Sequence, residues 1–254
     1  MYRSKHRVNS FADLLSRLLG NGADECYSCG FSVFRGDTDP SYGLRPSVGR
    51  NAETLEREIE IFEDYRRYAA SYGEDIGSLD HYDQLASAQH NGVPTRLLDW
   101  SLNPLVAAYF ATIPKIDGAN RIQPPNTDAV IYVLHACERV NTYREGNPFN
   151  VSDIRIFHPS EIRSRRIIAQ QGVFSVQQDP SHDLSCEIAK DDYEDGLWID
   201  QIVIEKQAIE DIRDKVAYLG FNSRTLFPDI TGLGQSLRQP PRNGHQFTNC
   251  DPSG

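Results

Sequence analysis

The sequence lacks the long apolar stretches of membrane proteins and has few cysteines. Across 254 residues with a mean hydropathy of −0.52, no apolar run approaches the ~18 residues that a membrane-spanning helix needs. The N-terminal stretch MYRSKHRVNS carries basic residues with no apolar segment behind them, unlike a secretory signal. Five cysteines are few for this length and odd in number, which is typical of the reducing cytosol. We therefore expect a cytoplasmic protein with no membrane partner.

Basic residues are also in the minority. There are 26 Lys and Arg residues against 36 Asp and Glu, which gives a formal net charge of −10. A chain this acidic is not expected to coat nucleic acid, although one local basic groove would still permit binding. Cys26 and Cys29 form a single CxxC motif. Because positions three apart on a strand face opposite sides, we expect structural thiols there and no metal site.

Common catalytic motifs are missing as well. The sequence contains no GxGxxG, GxxxxGK[ST], HExxH or GxSxG pattern, which lowers the expectation of a dinucleotide dehydrogenase, a P-loop NTPase, a zinc protease or an α/β-hydrolase. The seven histidines are scattered. A Ser-His or Cys-His arrangement forms in space rather than in sequence, so it stays open, but no pattern indicates one.

The composition that remains is that of one folded domain. Hydrophobic residues make up 39% and aromatic residues 10% of the chain, enough to bury a core and to exclude general disorder. We predict an N-terminal helix within residues 1–24, a main domain over residues 25–238, and a disordered tail over residues 239–254, which is rich in Pro, Asn and Gly.

Periodicity and capping residues predict the elements of that domain. We expect helices after Ser10 up to Gly20, over 52–72, from Asp80 to His90, over 104–111, over 209–219 and from 226 to 238. Strands are expected over 26–34, within 95–101, over 129–135, within 166–176 and over 197–204, with loops over 113–128, 138–165 and 179–196. This order predicts an α+β fold with a mixed or antiparallel central sheet and flanking helices.

Arg35 and Gly36 follow the first predicted strand of the domain. A guanidinium beside a glycine that lets a ligand approach the backbone suits an anionic group such as a phosphate. An ion pair of Arg35 with Asp37 or Asp39 is the structural alternative.

The stretch from Thr95 to Ser101 places Arg96, Asp99 and Trp100 just before a buried helix. A carboxylate among apolar residues needs a partner, so we expect Asp99 to be buried and paired with Arg96 or Arg35. That pair has two possible roles, in a binding site or as a structural support for the helix.

Two further polar residues lie at the ends of predicted helices or strands. Gln171 would orient a ribose or would only cap a strand, and His90 would act as an acid–base group or would only contact the last carbonyls of its helix.

These stretches resemble the FRG domain family, which is found largely in bacteria and phages. The resemblance lies in Phe34-Arg35-Gly36, in Gln89 through Ser101, in Arg166 with Gln171 through Phe174, in Leu219-Gly220-Phe221 and in Leu226 through Asp229. Together they span roughly residues 26–238. The second block is long and specific.

A weaker, fold-level resemblance is to the ADP-ribosyltransferases. It implies that Arg35 binds the phosphates of NAD, that Thr95 and Ser101 line the ribose, and that a carboxylate holds the ribose 2′-hydroxyl. The third position offers Gln171 in place of the Glu of that superfamily. Gln accepts the hydrogen bond but supplies no charge. Glu187, Glu161 or Asp99 could supply that charge, and spacing does not select among them.

The expected function is therefore cleavage of the nicotinamide–ribose bond of NAD with transfer of ADP-ribose to a nucleic-acid or protein acceptor, without a metal. Expected catalytic residues are Arg35, Ser101 and Gln171, and expected NAD-binding residues are Arg35, Gly36, His90, Thr95, Arg96 and Asp99. A toxin or anti-phage role with an antitoxin or neighbouring-gene partner follows by analogy. The alternative is a non-enzymatic nucleotide- or nucleic-acid-binding module that uses the same pocket.

Overall fold

The fold is a seven-stranded mixed sheet with helices on its faces. The computed structural model describes residues 2–19, 31–118, 121–136, 146–160, 164–188 and 197–238. In chain order the strands are β1 Ser4–Val8, β2 Phe31–Asp37, β3 Leu97–Ser101, β4 Ala129–Ala136, β5 Arg155–Phe157, β6 Gly172–Val176 and β7 Leu197–Ile204. They lie in the order β1-β7-β4-β2-β3-β6-β5. β1 runs parallel to β7, and the other neighbours are antiparallel.

Ten α-helices connect or cover these strands within the described ranges. They are α1 Phe11–Leu18, α2 Ala52–Glu56, α3 Glu58–Tyr68, α4 His81–His90, α5 Pro104–Ala111, α6 Arg165–Ala169, α7 Leu184–Ile188, α8 Ile209–Tyr218, α9 Ser223–Leu226 and α10 Ile230–Arg238. None of the described helices is long and apolar enough to cross a membrane.

Local capping chemistry positions three of the predicted helices correctly. Ser10 accepts a hydrogen bond from the Asp13 amide and begins α1. Asp80 does the same for α4, and Asn103 for α5, where Pro104 is the first helical residue. Each cap satisfies an amide that the helix itself leaves without a partner, so these boundaries are encoded locally.

The sheet separates two layers of the core. On one face α1, α5 and α8 pack against β2, β4 and β7 through residues such as Leu14, Val106 and Ile212. On the other face the segments around Leu44 and Leu184 pack against Trp100. A third cluster joins α3 and α4 to β3, β5 and β6. The α+β class with a mixed sheet and flanking helices is confirmed.

Several predicted boundaries were wrong. The helix expected over 52–72 breaks at Arg57 and ends in a 3-10 turn over Ala69–Tyr72. The strand expected over 26–34 extends past Phe34 to Asp37, so Arg35 lies inside it, and its expected start lies outside the described residues. The start of the 166–176 segment is the short helix α6, because Ser164 accepts hydrogen bonds from the Arg166 and Ile167 amides.

Three elements were missed. β1 precedes the expected N-terminal helix and pairs with β7 at five positions. β5 lies within the segment expected to be irregular, and α7 within the expected acidic loop. All three are short, at five, three and five residues, and tertiary contacts hold them rather than periodicity. The predicted thiols Cys26 and Cys29 and the predicted tail over 239–254 lie outside the described residues.

Candidate functional site

A cleft opens in the sheet where β2 and β3 part. Within the described residues these two strands are paired only at Phe34 and Ser101. Beyond that pair the cleft has a volume of about 270 Å³ and lies between the end of α4, the side of α5, and the segments that contain α6 and α9. We call it the Arg35 cleft. Clefts at such openings bring side chains from distant parts of a chain together.

The walls of the Arg35 cleft combine aromatic rings with a few charged groups. Its charged residues are Arg35, Asp99 and Arg166. Most of the apolar wall consists of rings, namely Phe34, Trp100, Phe110, Phe174 and Phe227. Such a lining suits a ligand that has both a flat ring and an anionic group.

Arg35 enters the cleft through the opening between the strands. Alternation along β2 places its side chain on the opposite face from Phe34 and Gly36. Its Nη1 donates to the backbone oxygen of Asp99 at 2.9 Å and to the Asp99 carboxylate at 3.4 Å. Its Nε is buried and has no hydrogen-bond partner among the described residues. One edge of the guanidinium is therefore fixed while a donor remains unused.

A chain of hydrogen bonds fixes the carboxylate beside Arg35. Thr95 donates its hydroxyl proton to the Gln89 side-chain oxygen, and the Gln89 amide nitrogen donates to the Asp99 carboxylate. Arg35 binds the other carboxylate oxygen. The Thr95 hydroxyl in turn accepts from the Leu97 amide. Because the Gln89 oxygen accepts from Thr95 and the Gln89 nitrogen donates to Asp99, the amide of Gln89 has a defined orientation.

The predicted burial of Asp99 was wrong, whereas its predicted pairing with an arginine was right. The Asp99 side chain is 61% exposed, and its partner is Arg35. Arg96 instead forms a buried two-point ion pair with Glu58, with Nε at 2.8 Å and Nη2 at 2.5 Å from the carboxylate oxygens. The carboxylate is exposed because β3 loses its neighbour β2 at this position.

Gly36 lines the cleft but serves helix packing. A Cβ atom added there would lie 1.8 Å from the Ala107 carbonyl oxygen and 2.6 Å from the Ala111 nitrogen. Only a residue without a side chain lets α5 approach β2 this closely. The space at Gly36 is thus occupied by the helix backbone and not by a ligand, contrary to the sequence-based interpretation.

Ser101 lines the cleft with its hydroxyl group already engaged, and Gln171 lies outside the lining. The Ser101 Oγ donates to the Gln170 carbonyl at 2.6 Å and accepts from the Asn103 amide at 2.9 Å. Gln171 is exposed in a left-handed turn, with φ 47°, between α6 and β6. The neighbouring Gln170 lines the cleft instead. Thr95 and Arg96 are also absent from the lining, and Thr95 acts through Gln89.

His90 lies on a wall that the cleft shares with a second cavity of about 410 Å³. Its ring nitrogens lie 3.1 and 3.2 Å from the Ser164 hydroxyl. Burial lowers the pKa of His90 below its ordinary value, and the nearby Arg166 guanidinium lowers it further. His90 is therefore neutral at pH 7 and can accept a proton.

Arg166 forms the second charged wall of the cleft. Its Nε donates to the Asp229 carboxylate at 2.6 Å, and its guanidinium carbon lies 5.3 Å from the centre of the Phe227 ring. The hydrogen bond from Arg166 holds the pKa of Asp229 at about 2. Gln170 donates to the Leu226 carbonyl at 3.1 Å. These contacts attach the segment after α8 to the cleft.

Sequence reasoning did not select three cleft residues that the structure identifies. Gln89 begins the stretch through Ser101 that carries the family resemblance, but its role depends on its contact with Asp99, ten residues away. Phe110 and Phe227 were assigned to helices for their apolar character. Arg166 and Phe227 are 61 positions apart in sequence, so only the tertiary contact shows that they share a wall. No group of three metal-ligating side chains occurs among the residues that the structure describes.

One protein family matches the chain. The family model of the FRG domain covers residues 31–119, which include Arg35, Gly36 and the whole hydrogen-bond chain from Thr95 to Asp99. Arg166 and Phe227 lie beyond the matched stretch. No curated protein and no solved structure matches the chain.

Proposed function

Because this chain carries an FRG domain that supplies most of the cleft, we propose that the domain binds NAD and transfers its ADP-ribosyl group. The supporting observation is the fixed pair of Arg35 and Asp99 at the opening between β2 and β3. In addition, β2 carries an arginine and lies beside β3, which leads into the buried helix α5. This order agrees with an ADP-ribosyltransferase-like arrangement. In this proposal Asp99 supplies the carboxylate that Gln171 does not.

Arg35 would bind the diphosphate of NAD. A guanidinium presents its donors in a planar fork that matches two phosphate oxygens. In Arg35 one nitrogen holds the backbone of Asp99, while the buried Nε has no partner among the described residues. A phosphate oxygen would accept a charge-assisted hydrogen bond from Nε, which would remove the free-energy cost of a buried donor without an acceptor.

Asp99 would stabilise the sugar as the bond breaks. The C1′–N bond breaks with its electron pair leaving on nicotinamide, and positive charge develops on the ribose. A carboxylate held in place by Gln89 and Arg35 stabilises that charge without reorganising. The acceptor then forms the new bond to C1′ and releases its proton to solvent or to neutral His90.

The aromatic wall would hold a flat ring of the ligand. Phe110 lies in edge-to-face contact with Phe227, with ring centres 6.0 Å apart, and both rings line the cleft. Nicotinamide and adenine are planar groups that stack favourably on such surfaces. Arg166, which is neutralised by Asp229, would add polar contacts at the same wall.

The acceptor and the biological role extend this proposal. We propose a nucleic-acid or protein acceptor, a cytoplasmic location, and a toxin or anti-phage role that a neighbouring-gene antitoxin would restrain. These parts rest on analogy with small bacterial proteins of the same chemistry. The acidic net charge of −10 restricts nucleic-acid contact to a local basic site.

One observation favours a second function, a binding module without catalysis. Both oxygens of the Asp99 carboxylate already have donors, from Arg35 and Gln89, and Gln171 does not line the cleft. A carboxylate fully occupied in this way would fix Arg35 for nucleotide binding and take no part in chemistry.

Calorimetric titration with NAD and with ADP-ribose tests the binding part. We expect Arg35→Ala to weaken binding at least ~10-fold. Arg35→Lys should weaken it nearly as much, since an ammonium group lacks the planar fork. Arg67, which pairs with Asp64 on the exposed face of α3, provides the matched control, and Arg67→Ala should bind like the parent. If the parent binds neither ligand, the nucleotide proposal is wrong.

Nicotinamide release, measured by mass spectrometry, separates the two functions. For a transferase, Asp99→Asn should still bind NAD but release nicotinamide at least ~100-fold more slowly. The melting temperature should change little, because the Arg35–Asp99 pair is largely exposed on the carboxylate side. A parent protein that binds NAD and releases no nicotinamide would support the binding module instead.

A further inference from the structure

A second polar cluster lies away from the Arg35 cleft, on β2, β4 and β7. It consists of Ser32 near the start of β2, His135 near the end of β4, and Asp200 in β7. Register pairs Ser32 with His135 and places Asp200 opposite Val133. None of the three lines the cleft. They come from positions 32, 135 and 200, so no local sequence pattern could have indicated them.

The three side chains form a continuous hydrogen-bonded series. The Ser32 Oγ lies 3.0 Å from His135 Nδ1, and His135 Nε2 lies 3.1 Å from the Asp200 carboxylate. The second oxygen of Asp200 accepts from the Ser4 amide at 3.0 Å and from the Ser4 hydroxyl at 2.8 Å. Asp200 is therefore fixed by β1 and in turn fixes the imidazole.

The charge of Asp200 and the tautomer of His135 follow from these contacts. Burial alone would raise the pKa of Asp200, but hydrogen bonds from His135 and Ser4 outweigh it and hold that pKa below its ordinary value. An ionised Asp200 accepts the Nε2 proton of His135, which leaves the lone pair on Nδ1 facing the Ser32 hydroxyl. This is the hydrogen-bonded order of nucleophile, base and orienting acid.

A buried donor without an acceptor lies against the same histidine. The indole ring of Trp198 stacks on His135 with ring centres 5.2 Å apart and an angle of 21° between the planes. Trp198 is 7% exposed, and its Nε1–H has no acceptor among the described residues. A buried N–H that lacks a protein acceptor is unfavourable unless a ligand atom supplies one. A carbonyl oxygen is such an atom.

We propose that Ser32, His135 and Asp200 form a second catalytic site, which cleaves carboxylic esters through a serine nucleophile, with Trp198 donating to the ester carbonyl. This activity is separate from the proposed reaction of NAD. The Trp198 ring stacked on His135 suits an uncharged ester with an apolar acyl or leaving group.

Water is the only co-reactant that this ester hydrolysis requires. Ser32 Oγ bonds to the carbonyl carbon while its proton moves to His135 Nδ1, and the ester C–O bond breaks as the alcohol leaves with that proton. Water then attacks the acyl carbon while His135 takes its proton. The bond from that carbon to Ser32 Oγ breaks, His135 returns the proton to Oγ, and the carboxylic acid leaves. Asp200 stays ionised and stabilises the transient imidazolium.

The chain offers its own comparison for this site. Ser164 also contacts a histidine, with its hydroxyl 3.1 and 3.2 Å from the ring nitrogens of His90. Unlike His135, His90 has no hydrogen bond to a carboxylate among the described residues. If a Ser–His contact alone were sufficient, Ser164 would react as well.

Labelling with an alkyl fluorophosphonate tests the proposal. The Ser32 Oγ–P bond forms, the P–F bond breaks, fluoride leaves, and His135 takes the hydroxyl proton. Peptide mass spectrometry of the full chain should place one adduct on Ser32. Ser32→Ala should remove it, and His135→Asn and Asp200→Asn should slow it at least ~100-fold. Ser164→Ala should label like the parent.

Hydrolysis of 4-nitrophenyl acetate gives the second readout. Release of 4-nitrophenolate should fall to the solvent rate in Ser32→Ala. The melting temperature of each variant shows that it is folded. The proposal is overturned if the folded parent gains no adduct on Ser32, or if folded His135→Asn labels as fast as the parent.

Discussion

At the scale of single residues, a missing side chain at position 36 decides how close a helix approaches the sheet. Gly36 faces the backbone of Ala107 and Ala111 in α5. The same approach puts Val106 and Phe110 against the Arg35 cleft. Gly36 thus shapes the cleft indirectly, by setting the position of α5. A larger residue at position 36 would therefore lower the free energy of unfolding before it weakened ligand binding.

We expect Gly36→Ala to lower the free energy of unfolding by about 3 kcal/mol, the upper end of the range for overpacked cores. The added methyl group would meet the Ala107 carbonyl, and backbone cannot move aside cheaply. Denaturant unfolding measures this loss. The control is Gly234→Ala in α10, where a Cβ meets nothing within 4 Å and helix propensity predicts a gain of about 0.5–1 kcal/mol. Equal effects at the two positions would contradict this explanation.

At the scale of elements, one buried ion pair joins α3 to the sheet beside the Arg35 cleft. Glu58 at the start of α3 binds Arg96, just before β3, and both side chains are 7% exposed. The Arg96 guanidinium also lies 5.0 Å from the centre of the Phe149 ring and donates to the Pro148 carbonyl at 3.3 Å. Three separate segments therefore meet at one guanidinium, next to the strand that carries Asp99.

Removing one partner of this pair should be costly. We expect Glu58→Ala to lower the free energy of unfolding by about 3–5 kcal/mol, because it leaves the Arg96 charge buried without a counterion. The exposed pair of Arg67 and Asp64 provides the comparison, and Asp64→Ala should cost less than about 1 kcal/mol. Chemical denaturation of both variants gives the difference. Similar small losses would show that water reaches Arg96.

At the scale of the whole molecule, the N-terminal strand extends the sheet. β1 adds a parallel edge strand to β7 and buries Val8, while Lys5 and Arg7 face solvent along that edge. Charged side chains on an edge strand discourage pairing with other chains. β1 also carries Ser4, which holds Asp200. The first residues are thus part of the domain, although they precede the matched family segment.

Deletion of residues 1–8 should lower the soluble fraction and the melting temperature, because it exposes the edge of β7. The matched control is deletion of residues 239–254, for which the lack of hydrophobic periodicity predicts a shift of no more than a few degrees. Thermal unfolding and sedimentation of the soluble fraction compare the two truncations. A larger loss from the C-terminal deletion would show that the tail packs on the domain.

Features that depend on neighbouring residues could be predicted from the amino-acid sequence alone. The caps at Ser10, Asp80 and Asn103 set helix starts, because each side chain reaches amides only two or three positions away. The all-apolar segment after Pro104 identified a central helix, and the composition identified an α+β domain. The blocks that contain Arg35 and Asp99 lie within the segment that the FRG domain model matches.

Which of those residues share a site depends on the packing of the whole sheet. Asp99 is exposed because β2 and β3 separate after one pair of residues. No local sequence pattern encodes how many residues of two strands stay paired. Gln171 adopts a left-handed turn and lies outside the cleft lining, which its position in the sequence did not indicate. Ser32, His135 and Asp200 meet because the strand order places β4 between β2 and β7. Contacts across such distances arise from packing of the whole sheet, which periodicity and capping do not specify.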